Sequence, residues 1–338
     1  MLLLIKSKLK ILFIRFSSIG DIILASPAIR CAKLQIPEVE IHFLTKSNMK
    51  VVSENNPYID KFHYYSGKLS DTIQELNSEK FDLVVDLHKN IRSFIIRLRL
   101  KVPFVSFKKL SVEKFLLTKF GINKMPDRHI SLRSVDALKS LNVEYDGMGL
   151  DYFVNEEEVR NWRNKFEEVP RDYIVLVLGA SYETKRMPIG KWLEWIDNMP
   201  LPIVLLGGGD CLKENEELMN SKRKNLISLV NKCSLNESAA IVREAKLVAS
   251  HDTGLLYMAS AFGVPSLAIW GGTSPKLQVE PFYEDGIKKR LYFNSIVEDL
   301  DCHPCSNYGT RKCPKGHFKC MLNQNMDQLV LNSMELLG

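Results

Sequence analysis

The stretch KILFIRFSSIGDIILASPAIRCAK, residues 10–33, decides how the rest of the chain is read. Residues 11–16 form an unbroken apolar run, as expected of a parallel strand covered on both faces. The run ends in Ser17, Ser18, Ile19, Gly20 and Asp21, and then Ile22, Ile23, Ala25, Ala28 and Ile29 recur at helical spacing. A lone carboxylate therefore stands where a strand turns into a helix. It can be a cap, because Ser and Asp oxygens accept from free first-turn amides and the helix dipole favours negative charge there. It can also be a base, because open α/β sheets bind ligands beyond the carboxyl ends of their strands.

The same alternation runs along the whole sequence. Apolar segments at 40–44, 83–86, 173–178, 203–207, 247–250 and 266–270 alternate with helix-like stretches. Continuous rather than in–out apolar patterning means strands with helices on both sides. There is no internal repeat and no low-complexity tract. A charged helix over 156–168, followed by Pro170 and the fresh strand YIVLVLGA, marks a domain boundary between residues 155 and 172. The expected architecture is α/β, with two Rossmann-like doubly wound domains, 1–165 and 171–325, facing a central cleft, and a C-terminal helix over 326–338.

Size and composition suit this picture. The 338 residues are 45% hydrophobic and 25% charged, with mean hydropathy −0.10, which is ordinary for a globular protein. No segment approaches the ~18 uninterrupted apolar residues of a membrane span. The opening MLLLIKSKLKILFIRF has its apolar run ahead of its charges, the reverse of an export signal, so a cytoplasmic location is expected. The net charge of +6 is concentrated in residues 89–124, where Arg92, Arg97, Arg99, Lys101, Lys108, Lys109, Lys114 and Lys119 face one acid, Glu113. Phenylalanines and aliphatic residues are interleaved with these charges. Such a surface favours an anionic partner, or is simply a solvated helix face.

Three loops in the second half suit phosphate. LGASYETKRMP, 178–188, follows a strand and offers Gly179, Ser181, Thr184, Lys185 and Arg186, the lysine as a point charge for phosphate. In SHDTGLLYMASAFGVP, 250–265, Asp252, Thr253 and Gly254 open a helix whose first amides are free to cradle a diphosphate. AIWGGTSP, 268–275, is another strand ending in glycines and a hydroxyl. The Walker A and GxGxxG spacings are missing, so neither a P-loop ATPase nor a dinucleotide dehydrogenase is supported.

IRFSSIGDIILASPAIR, GASYETKRMP and HDTGLLYMASAFGVPSLAIWGGTSP together resemble glycosyltransferase family 9, the ADP-heptose:lipopolysaccharide heptosyltransferases. DLHKNIRS, 86–93, is similar to the family's acceptor domain, and CHPCSNYGTRKCPKGHFKCM to the cysteine-bearing end of its heptosyltransferase II branch. The resemblance implies a GT-B fold and inverting transfer without a metal or other cofactor. It implies an ADP-sugar donor, a phosphorylated lipopolysaccharide core acceptor, and peripheral contact with the anionic inner face of the inner membrane. Asp21 matches the family's base, Lys185 its phosphate-binding lysine, and Asp252, Thr253 and Gly254 its donor loop. Ser181 and Asp210 join the donor set, the latter toward the ribose. Ser18, Gly20, His88, Lys89 and Arg92 are the acceptor candidates. The sequence departs from the family where Tyr257 replaces a histidine and Met187 a tryptophan, which bears on donor contacts and on the identity of the sugar.

Cys302, Cys305, Cys313 and Cys320 give C-x2-C-x7-C-x6-C. The first pair is a zinc signal, but the second closely spaced pair is missing. Reduced cysteines packing a loop are the other reading, since disulfides are rare in the cytosol. Asp299–Asp301 matches a metal-binding DxD by chance, beside the cysteines rather than a donor loop. Two other functions compete with heptosyl transfer: the same chemistry with another nucleotide sugar, and a GT-B nucleotide-sugar epimerase, which needs no basic acceptor surface. A nucleic-acid module built on residues 89–124 would leave the phosphate loops without a role, and no nucleic-acid partner is expected.

Overall fold

The computed structural model describes residues 8–338; the first part of the apolar opening, on which the reading against an export signal rests, lies outside the described residues. Packing divides the chain into two compact units. One runs to Lys109 and takes in Arg128–Phe153; the other is Leu110–Asp127 together with Val154–Gly338.

The first unit is built on β1 (Lys10–Ile14), β2 (Glu40–Lys46), β3 (Lys61–Tyr65), β4 (Leu83–Asp86) and β5 (Phe104–Ser106), in the order β3-β2-β1-β4-β5. Every pairing is parallel, with Ile11 opposite both Ile41 and Leu83. The second unit carries β6 (Ile174–Val177), β7 (Ile203–Leu206), β8 (Leu226–Ser228), β9 (Leu247–His251), β10 (Ser266–Ile269) and β11 (Tyr292–Ser295), in the order β11-β10-β9-β6-β7-β8. It too is parallel throughout. Both orders are doubly wound, and in each the winding reverses once, between β1 and β4 in the first sheet and between β6 and β9 in the second. A crevice opens outside the strand ends at such a reversal. The loops that leave these four strands are therefore where a site is sought.

The expected strands are all present and buried on both faces, β6 and β9 completely. The sequence reading missed β3, β5, β8 and β11, the outermost strand on each side of both sheets. The helix expected from Ile22 onward is two helices, Ile19–Leu24 and Ser26–Gln35, divided at Ala25 because Pro27 enters the first turn of the second and has no N–H to continue the ladder. The charged helix expected over 156–168 is likewise two short turns, Glu156–Val159 and Trp162–Lys165. No helix among the described residues is long and apolar enough to cross a membrane.

The core of the second unit gathers the apolar side chains of β6, β7 and β9 with Trp192 and Trp195. The C-terminal helix Met326–Leu337 closes it, laying Leu329 and Leu336 into this core, and Trp195 Nε1 donates to Ser333 Oγ at 3.0 Å. Leu329 is fully buried. Leu329→Ala should lower stability by about 2–5 kcal/mol, read as a shift of the denaturation midpoint at unchanged denaturant slope. An unaltered midpoint would mean that this helix is not part of the cooperative core.

Candidate active-site residues

In the first unit, the loop after β1 and the loop after β4 meet at Arg15 and Asp21. Ser18 caps the helix Ile19–Leu24, which places Asp21 at its third position. The Ser18 N–H and hydroxyl both donate to Asp21 Oδ2, at 3.0 and 2.8 Å. The Arg15 guanidinium pairs with Asp21 Oδ1 through one nitrogen and donates to the Leu87 carbonyl through another. Burial works against the Asp21 charge, but Arg15 and the Ser18 donors outweigh it and hold the carboxyl below its ordinary value. Beside them His88 is pushed down to about 4, by burial first and then by Arg15. The Asp21 carboxylate thus lies next to the His88 imidazole, which meets the Phe16 ring edge to face.

The second of these loops is held from below by Asp86, which is fully buried. Asp86 accepts from the N–H groups of His88 and Lys89 at 3.0 and 2.8 Å and from the Ser93 hydroxyl at 2.9 Å. Its ion pair with Arg97 is 3.3 Å. Lys89 takes a left-handed backbone, φ +51°, as the turn requires, and its carbonyl accepts from Lys109 Nζ at 2.9 Å. Arg92 lies over the Tyr65 ring.

In the second unit, Lys185 and Asp252 meet at the reversal between β6 and β9. Lys185 Nζ lies 2.7 Å from Asp252 Oδ2 and donates to the Asp252 carbonyl at 2.8 Å. An ammonium has three donors, so one is left for a ligand. The Tyr257 hydroxyl contacts Asp252 Oδ1 at 2.9 Å and the Val279 carbonyl at 2.8 Å. Thr253 is the N-cap of the helix Gly254–Ala261 without a side-chain capping bond; its hydroxyl pairs with Ser250 at 3.0 Å instead. The first amides of this helix thus keep their capacity for an anion, and the glycine lets it approach.

Residues 70–311 match the sequence model of glycosyltransferase family 9 (heptosyltransferase). The chain belongs to this family. It is 25% identical over 316 residues to lipopolysaccharide heptosyltransferase 1 of Campylobacter coli, covering 86% of this chain and 89% of that one. Among solved structures, the glycosyl transferase family 9 protein of Veillonella parvula superposes with a TM-score of 0.77 at 19% identity over 97% of both chains. The ADP-heptose lps heptosyltransferase II of E. coli does so with a TM-score of 0.72 at 16% identity, over 97% of this chain and 98% of that one. The two parallel sheets are those of a GT-B glycosyltransferase.

Within this glycosyltransferase the expected donor residues fall into two groups. Lys185, Asp252, Thr253, Gly254 and Tyr257 lie together at the strand ends. Asp210 is instead engaged by Arg186, whose guanidinium reaches the Asp210 carboxylate at 2.7 Å and also binds Glu214 and the Ala180 carbonyl. Ser181 is exposed on the same loop. Met187 packs in the core, and its N–H donates to His251 Nε2 at 2.9 Å. His251 is fully buried and pushed down to about 3, by burial first and then by Arg186 and Lys185. Of the acceptor candidates, Ser18 binds Asp21 directly, Gly20 is buried in the first helical turn, and His88 is Asp21's electrostatic neighbour. Lys89 and Arg92 flank the β4 loop.

Sequence reasoning missed Arg15, Asp86 and His251, and it named Thr184 as a member of the loop 178–188 without foreseeing its partners. Thr184 is buried and joins three segments. It exchanges backbone hydrogen bonds with Thr310 and with Gly272, and its hydroxyl accepts from Thr310 N–H at 2.7 Å. A Cβ on Gly271 would lie 2.2 Å from the Thr184 carbonyl, and one on Gly272 2.7 Å from its hydroxyl. Both positions need glycine for this close approach.

The cysteine-bearing segment is the third of those pieces. His303 Nε2 donates to the Thr273 carbonyl at 2.8 Å and Ser306 N–H to that of Gly272 at 3.1 Å. All seven cysteines are free thiols. Cys302 Sγ lies 3.7 Å from His317 Nε2, while Cys320 is in the core, where burial raises its thiol to about 12. Among the described residues, the trio of candidate ligands with donor atoms all within 4.8 Å is His42, His63 and Glu79, not the cysteines. There the ring nitrogens already have partners: His42 Nδ1 meets His63 Nε2 at 2.8 Å, His42 Nε2 meets Glu40, and His63 Nδ1 meets Glu75. Thr184→Val would strand the Thr310 N–H, at a cost of about 1–3 kcal/mol. A melting temperature lower by roughly 2–4 °C per kcal/mol and weaker ADP binding should accompany it. Wild-type values of both would show that the junction does not support the Lys185 loop.

Proposed function

We propose that this protein transfers a heptose from ADP-heptose to a hydroxyl of the lipopolysaccharide inner core, with inversion at the anomeric carbon and without a catalytic metal. The observation that carries the reading is the Lys185–Asp252 pair beside the free amides of Gly254–Ala261, at the winding reversal of a family 9 sheet. The names of the relatives support the sugar and the acceptor: a lipopolysaccharide heptosyltransferase 1 over most of both chains, and an ADP-heptose lps heptosyltransferase II of the same fold.

In this mechanism the first unit takes the acceptor and the second the nucleotide sugar. Asp21 accepts the proton of the acceptor hydroxyl as the oxygen attacks the anomeric carbon and the bond to the diphosphate breaks. Two of the Asp21 partners are fixed donors, so the carboxylate is aimed before substrate arrives. His88, Lys89 and Arg92 line the acceptor side, where the phosphates of the core need cations. Lys185 and the first amides of the helix Gly254–Ala261 stabilise the charge that grows on the departing ADP. Ser181 supports the phosphates and Asp210 the ribose. Tyr257 bears on the choice of sugar, since it offers a neutral hydroxyl where the resemblance led us to expect an ionisable imidazole; this favours, as a second reading, the same chemistry with another ADP-sugar. A panel of nucleotide sugars decides between them, because the one bound by the folded state raises its melting temperature.

Asp21→Asn should keep ADP affinity and lose turnover by roughly 10²–10⁴-fold, the usual contribution of a general base. Arg15→Gln should raise the Asp21 pKa, since it removes the cation that holds the carboxyl low. The acid limb of the kcat/KM profile should then move to higher pH. Near wild-type turnover in Asp21→Asn, with chemistry limiting, would reduce Asp21 to a cap. Lys185→Ala removes a charge-assisted contact worth about 1.5–3 kcal/mol, so calorimetry should show ADP binding weakened tenfold or more and adenosine binding little changed. Transfer should survive EDTA. Activity lost to EDTA and restored by magnesium or manganese would overturn the metal-free reading.

A further inference from the structure

The paired rings of His42 on β2 and His63 on β3 pose a problem of hydrogen-bond supply. Both are buried, with His42 Nδ1 2.8 Å from His63 Nε2. Each outer nitrogen is turned to a carboxylate, His42 Nε2 to Glu40 at 2.8 Å and His63 Nδ1 to Glu75. A carboxylate only accepts, and a neutral imidazole has a single N–H to give. Both N–H groups are therefore spent outward, and the inner nitrogens face each other as two acceptors. Something electron-poor has to lie between them, either a further proton or a metal ion. A third donor decides between the two. Glu79 Oε2 is 3.9 Å from His42 Nδ1, and the three donor atoms all lie within 4.8 Å of one another. A proton shared by two rings asks for no third donor; a metal ion does.

We infer that His42, His63 and Glu79 hold a divalent transition-metal ion of the zinc class, with Glu40 and Glu75 as the outer partners that fix both ring tautomers. Imidazole with carboxylate suits zinc or cobalt, whereas magnesium and calcium take oxygen ligands. Metal-binding histidines give their other N–H to a carboxylate in this way. Two nitrogens on tetrahedral zinc stand roughly 3.3 Å apart, so binding parts the rings by about half an ångström. Glu79 also pairs with Lys61 through Oε1 and with Lys10 through Oε2, the latter at 3.3 Å. Lys10 keeps Glu40 at 3.1 Å when the ion takes Oε2, and Lys61 stays on Oε1. Phe81 meets both rings edge to face, while Glu79 and Glu40 remain partly exposed and give the ion a way in. Lys10, Glu40 and Lys61 are the first residues of β1, β2 and β3. The site therefore lies at the amino ends of the strands, away from the loops that carry Asp21 and His88. The ion ties the outer strand β3 and the end of the helix Leu69–Ser78, which Glu79 closes, to the sheet. It takes no part in transfer, and its binding requires no sugar.

The test uses the full chain stripped of metal by a chelator, with cobalt(II) as a spectroscopic probe and zinc as the ligand. Cobalt should bind with the d–d bands of an imidazole–carboxylate set and without the thiolate charge-transfer absorption that the cysteines would give. Zinc should raise the melting temperature, as an ion bound only by the folded state does, and magnesium should not. His63→Gln should abolish both effects. Glu79→Gln should weaken zinc at least tenfold, and Glu75→Ala, which touches only an outer partner, by roughly 10–100-fold. Because Glu75 is half exposed, its variant should melt with stripped wild type, so lost affinity is not lost fold. A stripped wild type indifferent to cobalt and zinc would overturn the site and leave a proton between the rings. Cobalt bound with thiolate absorption, and equally well in His63→Gln, would place the metal on the cysteines and overturn it too. Wild-type zinc affinity in both Glu75→Ala and Glu79→Gln would do the same.

Discussion

Thr184 holds the Lys185 loop of the second unit in place. It lies one residue before Lys185, and its backbone and hydroxyl are shared between the Gly271–Gly272 turn and Thr310. A lysine on a loop is a mobile charge, with four rotatable bonds and no preferred target. Here the loop is pinned on two sides by buried hydrogen bonds, each costly to leave unmade, and the ammonium is aimed by the Asp252 carboxylate and carbonyl. The two glycines are the condition for this. Any side chain at either position would push Thr184 away, since a single Cβ would already lie within 2.2 to 2.7 Å of its oxygens. The cysteine segment, far along the chain, is thereby part of the support of the Lys185 loop, whatever further chemistry its thiols have.

In the first unit Asp21 has the surroundings of a cap, and the proposed mechanism makes it a base as well. The carboxylate sits in the first turn of a helix and takes both donors of the capping serine, as a structural residue would. It also faces Arg15, which no capping role requires. Each unit of pKa depression is 1.36 kcal/mol of preference for the ionised form, so Asp21 gains availability as an acceptor at the expense of intrinsic basicity. A base of this kind suits a step in which the proton moves late, when the attacking oxygen has already become acidic through bond formation.

How much of this was legible in the sequence follows from burial. The seven interior strands are mostly apolar, because helices cover both of their faces, and all were readable. The four edge strands KFHYY, FVS, LIS and YFNS are half exposed or short. With one side unpaired, their composition carries little of the signal. That Asp21, Lys185 and Asp252 stand on strand-end loops was legible, because such loops are local in sequence. Arg15 and Asp86 were not, nor was the junction Thr184 makes, because what they do depends on partners brought in by the fold; Thr184 and Thr310 are 126 residues apart. Pro27 could have been read as a helix boundary, since its missing N–H is a local fact, and the apolar periodicity running across it hid the break.

Charge counting around Lys185 shows what Tyr257 changes. Lys185 and Asp252 cancel, and the tyrosine contributes a dipole but no charge, so the trio presents no net cation to an arriving diphosphate. Arg186 does not supply one either, being tied to Asp210 and Glu214. An imidazolium in place of Tyr257 would have made the trio net positive. With tyrosine, attraction must come from the amide dipoles at Gly254 and from the donor of Lys185 left over after its two bonds to Asp252. Dipoles act over a shorter range than charges and are directional. Binding governed by them selects for the placement of the phosphates more than for their charge, and that placement is set by how the sugar fills the space next to the Tyr257 hydroxyl. In the proposed reading, the residue that departs from the family pattern would act on sugar identity through the geometry of the diphosphate rather than through its affinity alone.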